Sequence, residues 1–155
     1  MVAIGCGAAL AAACNRIDYQ TSQVSSAVTA GESAAALVSR AEAGEAAAQF
    51  ELAEFHSKSA AGSGQTGGAA EALLWYTRAA EQGHAKAQVN LGYALAAGLG
   101  VARDLAQTAT WYRRAAESGH ATAQYNLGVI YAAGEGVPQD FATAIDWYRR
   151  AAAQG

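Results

Sequence analysis

The 155-residue chain is poor in cysteine, proline and charge, and these shortages exclude whole classes of protein. Both cysteines, Cys6 and Cys14, lie near the start, so the chain has no disulfide framework and no Cys/His metal motif. Charged residues make up only 15%, and the formal net charge at pH 7 is -3. Because a nucleic-acid-binding protein needs a basic stripe, we expect no nucleic acid partner.

Residues 1–14 carry no charged side chain and are too short to span a bilayer, which needs about 20 residues. Their small apolar side chains are typical of the core of a secretory signal. The end of the segment, Leu10 to Cys14, resembles the lipobox of bacterial lipoproteins, in which the cysteine becomes the lipidated first residue. This resemblance implies export to the periplasm, or anchoring at the outer membrane through a lipid on Cys14. The alternative is an alanine-rich helix packed at the end of a cytoplasmic protein.

Residues 15–32 are rich in Ser, Thr and Gln and offer little to build a core with. They predict a flexible polar linker between the first segment and the rest of the chain.

A 36-residue period dominates residues 33–155. Aligning 84–119 with 120–155 gives 21 identities in 36 positions, so the two segments are copies of one structural module. An earlier copy is recognisable but less regular. We therefore predict three units, at about 45–83, 84–119 and 120–155, with a leading helix near Ser33–Ala43. The most regular markers are the tryptophans Trp75, Trp111 and Trp147, each followed by tyrosine.

The pattern of apolar residues in each unit predicts a pair of helices. The predicted fold class is therefore all-α, an α/α solenoid of antiparallel helix pairs. In the last unit Ala121–Ala133 is the first helix, and Gly134 suits the left-handed residue after a helix end. Asp140 then acts as the N-cap of the second helix. The second helix is expected to bury one stripe, formed by Phe141, Ala144, Ile145, Tyr148 and Ala152.

The first unit is three residues longer than the others between its first helix and its tryptophan. The extra residues fall in the Gly/Ser-rich stretch Ser59–Gly68, which predicts a longer loop.

The motifs A-x-A-Q-x-N-L-G, G-x-G-V-x-x-D and W-Y-R-R-A-A, with a closing Gly, resemble the Sel-one-like repeat (SLR), a relative of the tetratricopeptide repeat. The resemblance covers about residues 45–155. It implies helix pairs stacked into a right-handed superhelix, and a function as an adaptor that gathers protein complexes. Bacterial members are often exported and act in the cell envelope.

Repeated glycine and tryptophan positions indicate how the units pack. Gly92 and Gly128 lie inside first helices, where glycine costs about 1 kcal/mol relative to alanine, so close helix approach is the expected gain. The three tryptophans suit structural packing. A ligand platform is the alternative.

Stacked helix pairs present a concave face lined mainly by first helices. We expect a protein or peptide partner to bind there, at positions where otherwise matching copies differ. The alternative is drift at exposed positions. The predicted partner-binding residues are Lys86, Val89 and Tyr93 in the middle unit and Thr122, Tyr125 and Val129 in the last.

No catalytic constellation stands out, so we expect no enzyme, no cofactor and no metal. His84 and His120 occupy the same turn of successive units, and a structural role such as bonding helix-end carbonyls is expected. The arginine pairs Arg113/Arg114 and Arg149/Arg150 lie toward helix C-termini, where positive charge interacts favourably with the helix dipole. A basic ladder for an acidic partner is the alternative.

Two alternative functions remain. One is a secreted helical-repeat enzyme, similar to the cysteine-rich relatives assigned β-lactam activity, although those carry a disulfide in each repeat and the repeats here have no cysteine. The other is a fragment of a larger repeat protein, because the chain stops at a unit boundary without a polar capping helix. In that case Ile145 and Tyr148 are exposed, and we expect self-association through this end or a continuation of the chain.

Overall fold

The structure is a computed structural model that describes residues 33–63 and 66–155. Within these residues it contains seven α-helices and no strand. In chain order they are α1 (Ala34–Glu42), α2 (Ala46–Ser63), α3 (Thr66–Glu81), α4 (Ala85–Ala97), α5 (Leu105–Glu117), α6 (Ala121–Ala133) and α7 (Phe141–Ala152). Each helix packs against the next, so a leading helix is followed by three pairs, and the predicted α/α solenoid is confirmed. Segments 1–14, which includes Cys14, and 15–32 lie outside the described residues.

The helix ends follow the capping residues of the sequence. Oδ1 of Asp140 accepts hydrogen bonds from the backbone N–H of Ala142 and of Thr143, at 3.0 and 3.1 Å. Gly134 follows the C-terminal end of α6 and takes φ 71°, a left-handed conformation that glycine adopts without strain. The predicted bounds of α6, the left-handed Gly134 at its end and the Asp140 cap of α7 are therefore confirmed.

The predicted long loop over Ser59–Gly68 is wrong, because α2 runs on to Ser63 and α3 already begins at Thr66. The two helices approach closely where the chain has glycine. A Cβ built on Gly68 would lie 3.0 Å from the Cβ of Ala60. Gly68 therefore serves helix packing, which local composition alone does not reveal.

Successive pairs are joined by a repeated glutamine contact. The side-chain amides of Gln49, Gln88 and Gln124 each donate to a backbone carbonyl eight residues earlier, at the end of the preceding helix. The three acceptors are the carbonyls of Ala41, Ala80 and Ala116, at 3.0, 3.1 and 3.1 Å. Each carbonyl also accepts the backbone N–H of the turn glycine three residues later, so the glutamine bond is a second bond that ties the helix end to the next unit.

Gly92 and Gly128 allow the second helix of a pair to lie against the first. A Cβ at Gly92 would come within 2.8 Å of Cε1 of Tyr112, and one at Gly128 within 2.6 Å of Cε1 of Tyr148. Real side chains do not approach so closely, so the expected role of both glycines in helix approach is confirmed.

The buried stripe predicted for α7 is largely wrong, since Ala144 is its one buried member. Phe141 is 61% exposed and Ile145 is 48% exposed. Tyr148 is half-buried and Ala152 is exposed. One unit earlier, α6 covers the corresponding surface of α5, whereas no described helix covers this surface of α7.

Candidate partner-binding face

The six predicted binding residues all lie on the first helices α4 and α6, and five of them are exposed. Tyr93 and Tyr125 expose 60% and 57% of their surface. Lys86, Thr122 and Val129 are also exposed. Val89 differs from the prediction, because its short side chain is half-buried against the second core cluster. This face therefore presents large aromatic and aliphatic groups on a rigid helical support.

The face continues onto α2, where sequence reasoning placed no binding residue. Extending the first-unit alignment from Gln49/Gln88 sets Phe50 opposite Val89 and Glu54 opposite Tyr93. Both Phe50 and Glu54 are half-buried. The longer spacing within the first unit hid this correspondence, although the Ala48-Gln49 signal was sufficient to reveal it.

Glu54 links three helices. Its Oε1 accepts a hydrogen bond from the hydroxyl of Tyr76 on α3 and another from Nδ2 of Asn90 on α4, each at 2.7 Å. Burial and the neighbouring carboxylate of Glu54 raise the pKa of Tyr76, so its hydroxyl stays protonated and donates. Glu54 therefore positions the first two units, and the ammonium group of Lys58 lies 3.4 Å from its other oxygen, Oε2.

Aromatic rings continue the face from the first unit to the last. The rings of Phe50 and His84 stack with centroids 4.6 Å apart. In the last unit the rings of Tyr125 and Tyr148 lie 5.5 Å apart and are tilted. Aromatic side chains in this arrangement offer apolar area, while the tyrosines also present a hydroxyl for hydrogen bonding. Such a surface suits a protein segment better than a small charged ligand.

The backbone N–H groups of His84 and His120 donate to the helix-end carbonyls of Ala79 and Ala115, at 3.1 and 3.0 Å, so the predicted bonding is confirmed for the backbone. The imidazole rings instead lie at the starts of the next helices. Nδ1 of His84 accepts a hydrogen bond from the backbone N–H of Ala87 at 3.2 Å and caps α4. His120 occupies the same place before α6, yet its side chain makes no cap bond. Both imidazoles precede a first helix, where the unsatisfied groups are N–H donors, so an acceptor is required.

The tryptophans and arginines form a repeated contact of their own. In each unit an arginine lies over the tryptophan three residues earlier, a cation–π geometry. The distances from guanidinium carbon to ring centroid are 4.6 Å for Arg78/Trp75, 4.7 Å for Arg114/Trp111 and 4.5 Å for Arg150/Trp147. In addition, Nη2 of Arg113 donates to the hydroxyl of Tyr131 at 2.7 Å. These contacts support a structural role for the tryptophans and hold the arginines against the fold.

Residues 33–63 and 66–155 contain no group of three or more His, Cys, Asp or Glu side chains suited to hold a metal ion. Among the helices of the same ranges, none has the length and apolar character to cross a bilayer.

Solved structures similar to this chain include the following two. A Sel1 repeat protein from Oxalobacter formigenes is 44% identical, with a TM-score of 0.67, over 77% of this chain and 87% of that one. A protective antigen of uropathogenic Escherichia coli strains that displays an SLR fold is also 44% identical, with a TM-score of 0.69 over 77% of this chain. The matched region spans 25% of that antigen. No curated protein matched.

Three consecutive segments match the Sel1 repeat, at residues 46–84, 85–120 and 121–155. Sel1 repeats generally mediate protein–protein interaction, and the family is typically non-catalytic. The three matches together span 46–155, well over half of the chain, and the helix pairs described above coincide with them. The chain therefore belongs to the Sel1 repeat family.

Proposed function

We propose that this protein is a non-catalytic scaffold that binds a segment of a partner protein along the first-helix face formed by α2, α4 and α6. One observation carries the proposal. Units that agree at most positions differ on this face, where Lys86 corresponds to Thr122 and Tyr93 to Val129. A ligand without a repeat of its own needs such a non-repeating surface, and Tyr93 and Tyr125 supply its largest exposed groups.

Partner capture with substituted protein tests this proposal. Tyr93→Ala and Tyr125→Ala are each expected to weaken capture from an envelope fraction by about tenfold, because exposed aromatic anchors contribute most of the binding energy in typical interfaces. Both side chains are more than half exposed, so folding should be retained. Leu74→Ala on α3 is the matched control, since Leu74 is exposed but lies on a second helix. Equal capture by all three variants would remove this face from consideration.

In this proposal the chain is exported and anchored to the bacterial envelope by a lipid on Cys14. The small apolar residues before Cys14 support it. One similar structure is described as a protective antigen of uropathogenic Escherichia coli. That description belongs to the other protein, and it supports the proposal that this chain is exported. Metabolic labelling with a radioactive fatty acid should mark the wild-type chain and the Cys6→Ala variant, but leave Cys14→Ala unlabelled. Label on Cys14→Ala, or none on the wild type, would overturn the anchor.

A hydrolytic function is the competing candidate, in the form of a β-lactamase-like enzyme. The scaffold proposal expects the purified chain to leave a chromogenic β-lactam intact over hours. Hydrolysis above the buffer rate that survives repurification would contradict the non-catalytic assignment.

The scaffold also associates with itself in this proposal, through the C-terminal end of the solenoid. The exposed apolar side chains Phe141 and Ile145 support this, because soluble monomers rarely leave large contiguous apolar patches open.

A further inference from the structure

The outer face of α7 carries four apolar residues that correspond to an interface inside the chain. Phe141, Ile145, Tyr148 and Ala152, here named the terminal stripe, follow one another at steps of four, three and four residues and so share one helix face. One unit earlier the corresponding residues include Ala109, Tyr112 and Ala116, which are at most 6% exposed beneath the next unit. Inside the chain, this surface of α5 is covered by α6, so the terminal stripe is a surface that a helix covers one unit earlier.

A pocket opens beside the stripe at its C-terminal end. It has a volume of about 540 Å³, large enough for an aromatic side chain. Its walls are mostly small residues between two rings. They are Ala121, Tyr125, Tyr148, Ala151, Ala152 and Gly155. The terminal stripe therefore has a large exposed side chain, Phe141, at its N-terminal end and a pocket at its C-terminal end.

We propose that the terminal stripe binds the terminal stripe of a second copy of this chain, with the two α7 helices antiparallel about a two-fold axis. The spacing of four, three and four reads the same in both directions, so reversal brings the two stripes into register. Ile145 then meets the partner's Tyr148. Phe141 meets the partner's Ala152 and fills the partner's pocket, which pairs the bulky end with the hollow one.

The helix dipoles support the same arrangement, because the antiparallel orientation sets the N-terminus of each helix dipole beside the C-terminus of the other. A closed two-fold pair is the commonest form of homo-oligomer.

This inference deepens the self-association in the proposed function, and its first test is molar mass. Light scattering of the Cys14→Ala chain, which carries no lipid, at tens to hundreds of micromolar should give about twice the mass of one chain, which is 15.8 kDa for the 155 residues. Ile145→Asp should restore the monomer, because it places a carboxylate against the partner's Tyr148. Leu99→Asp is the matched control, since Leu99 is 45% exposed but lies in the turn after α4, and it should remain dimeric. Circular dichroism checks that both variants stay helical.

A disulfide trap tests the orientation. In a Cys6→Ala/Cys14→Ala background, Phe141→Cys with Ala152→Cys should give a covalent dimer on mild oxidation, whereas either substitution alone should not. The two positions are about 16 Å apart along one helix, so they cannot bridge within a chain. A monomer at all concentrations, a dimer indifferent to Ile145→Asp, or a dimer that the double variant fails to trap would each overturn the inference.

The two proposals are separated through Tyr93, because Tyr125 belongs to the partner-binding face and also lines the pocket beside the terminal stripe. Ile145→Asp should leave partner capture through Tyr93 unchanged, because Tyr93 lies on α4 away from the terminal stripe. Loss of the dimer together with intact capture supports both statements. A chain that never dimerises yet still needs Tyr93 for capture contradicts only the self-association.

Discussion

The side-chain amide of Gln154 donates to Oε1 of Gln124 over 2.8 Å and ties the end of α7 to the first helix of its own unit. The first unit has the same bond, from Gln82 to Gln49 at 2.7 Å. The middle unit lacks it, because the residue at the corresponding position is Ser118. Its shorter hydroxyl donates instead to the carbonyl of Ala115. Oε1 of Gln88 is consequently buried without a hydrogen-bond partner.

Ser118→Gln should therefore stabilise the protein by about 1 kcal/mol, the usual net contribution of one added hydrogen bond to a buried acceptor. Urea denaturation of the variant measures the change. Ser118→Ala is the control and should bring no gain. If Ser118→Gln stabilises equally in a Gln88→Ala background, the missing bond is not the cause.

Gly92 and Gly128 each contact a tyrosine ring, but the two rings differ in how far they can move. Substitution of each glycine by alanine should therefore change stability by different amounts. The ring of Tyr112 beside Gly92 is buried, whereas the ring of Tyr148 beside Gly128 is half-buried and can move outward. Gly92→Ala should destabilise by about 1–3 kcal/mol, typical of overpacking. Gly128→Ala should cost less, because ring movement relieves the collision and alanine favours the helix by about 1 kcal/mol. Equal losses in thermal unfolding would contradict the close-contact explanation.

His56 gives the fold a sensitivity to mild acid. It is buried, and burial lowers its pKa below the ordinary value of 6.5, although the carboxylate of Glu71 acts in the opposite direction. The unfolded chain therefore binds a proton before the folded one does. Stability is complete above pH 6.5 and falls as the pH drops from there through the lowered pKa.

Substitution of His56 by leucine should remove this loss, since the second unit buries Leu95 at the equivalent position. Denaturation midpoints measured from pH 7 to pH 5 should fall less for His56→Leu than for the wild type. Burial also lowers the pKa of His84, so a His84→Asn variant provides the comparison. An unchanged pH slope in His56→Leu would refute the assignment to His56.

An aspartate should stabilise the protein by different amounts at the two N-cap positions that His84 and His120 occupy. Asp104 and Asp140 already cap second helices of this chain, so aspartate fits such a position. His120→Asp should stabilise by about 1 kcal/mol, because it supplies the acceptor that α6 lacks. His84→Asp should gain less, since it replaces an existing cap and loses the stacking on Phe50. A larger gain at His84 than at His120 would contradict this account.

Much of the fold follows from the sequence because its causes are local. The period fixes the units, Gly134 and Asp140 fix helix ends, and Gly92 already indicates close helix approach. The features that the sequence did not predict depend on contacts with neighbouring helices. Helical periodicity shows that Ile145 can be buried, but whether it is buried depends on a covering unit. Likewise, the close packing of Gly68 on Ala60 turned an expected loop into helix.

The candidate site was predicted in part for the same reason. Tyr93 and Tyr125 are exposed as expected, because they lie opposite the buried leucines of their helices. Val89 was misjudged, since its burial depends on packing against the cluster that α5 and α6 form on folding. Glu54 was missed, because its role depends on Tyr76 and Asn90, which the chain brings together only on folding.

Site-specific photo-crosslinking tests the central claim, that the first helices form the working face. A photoreactive phenylalanine analogue would replace Tyr93 on α4, or Thr110 on the second helix α5 of the same unit, both of which are exposed. The account predicts a covalent partner adduct from position 93 and none from position 110. Adducts from position 110 with none from position 93 would contradict it.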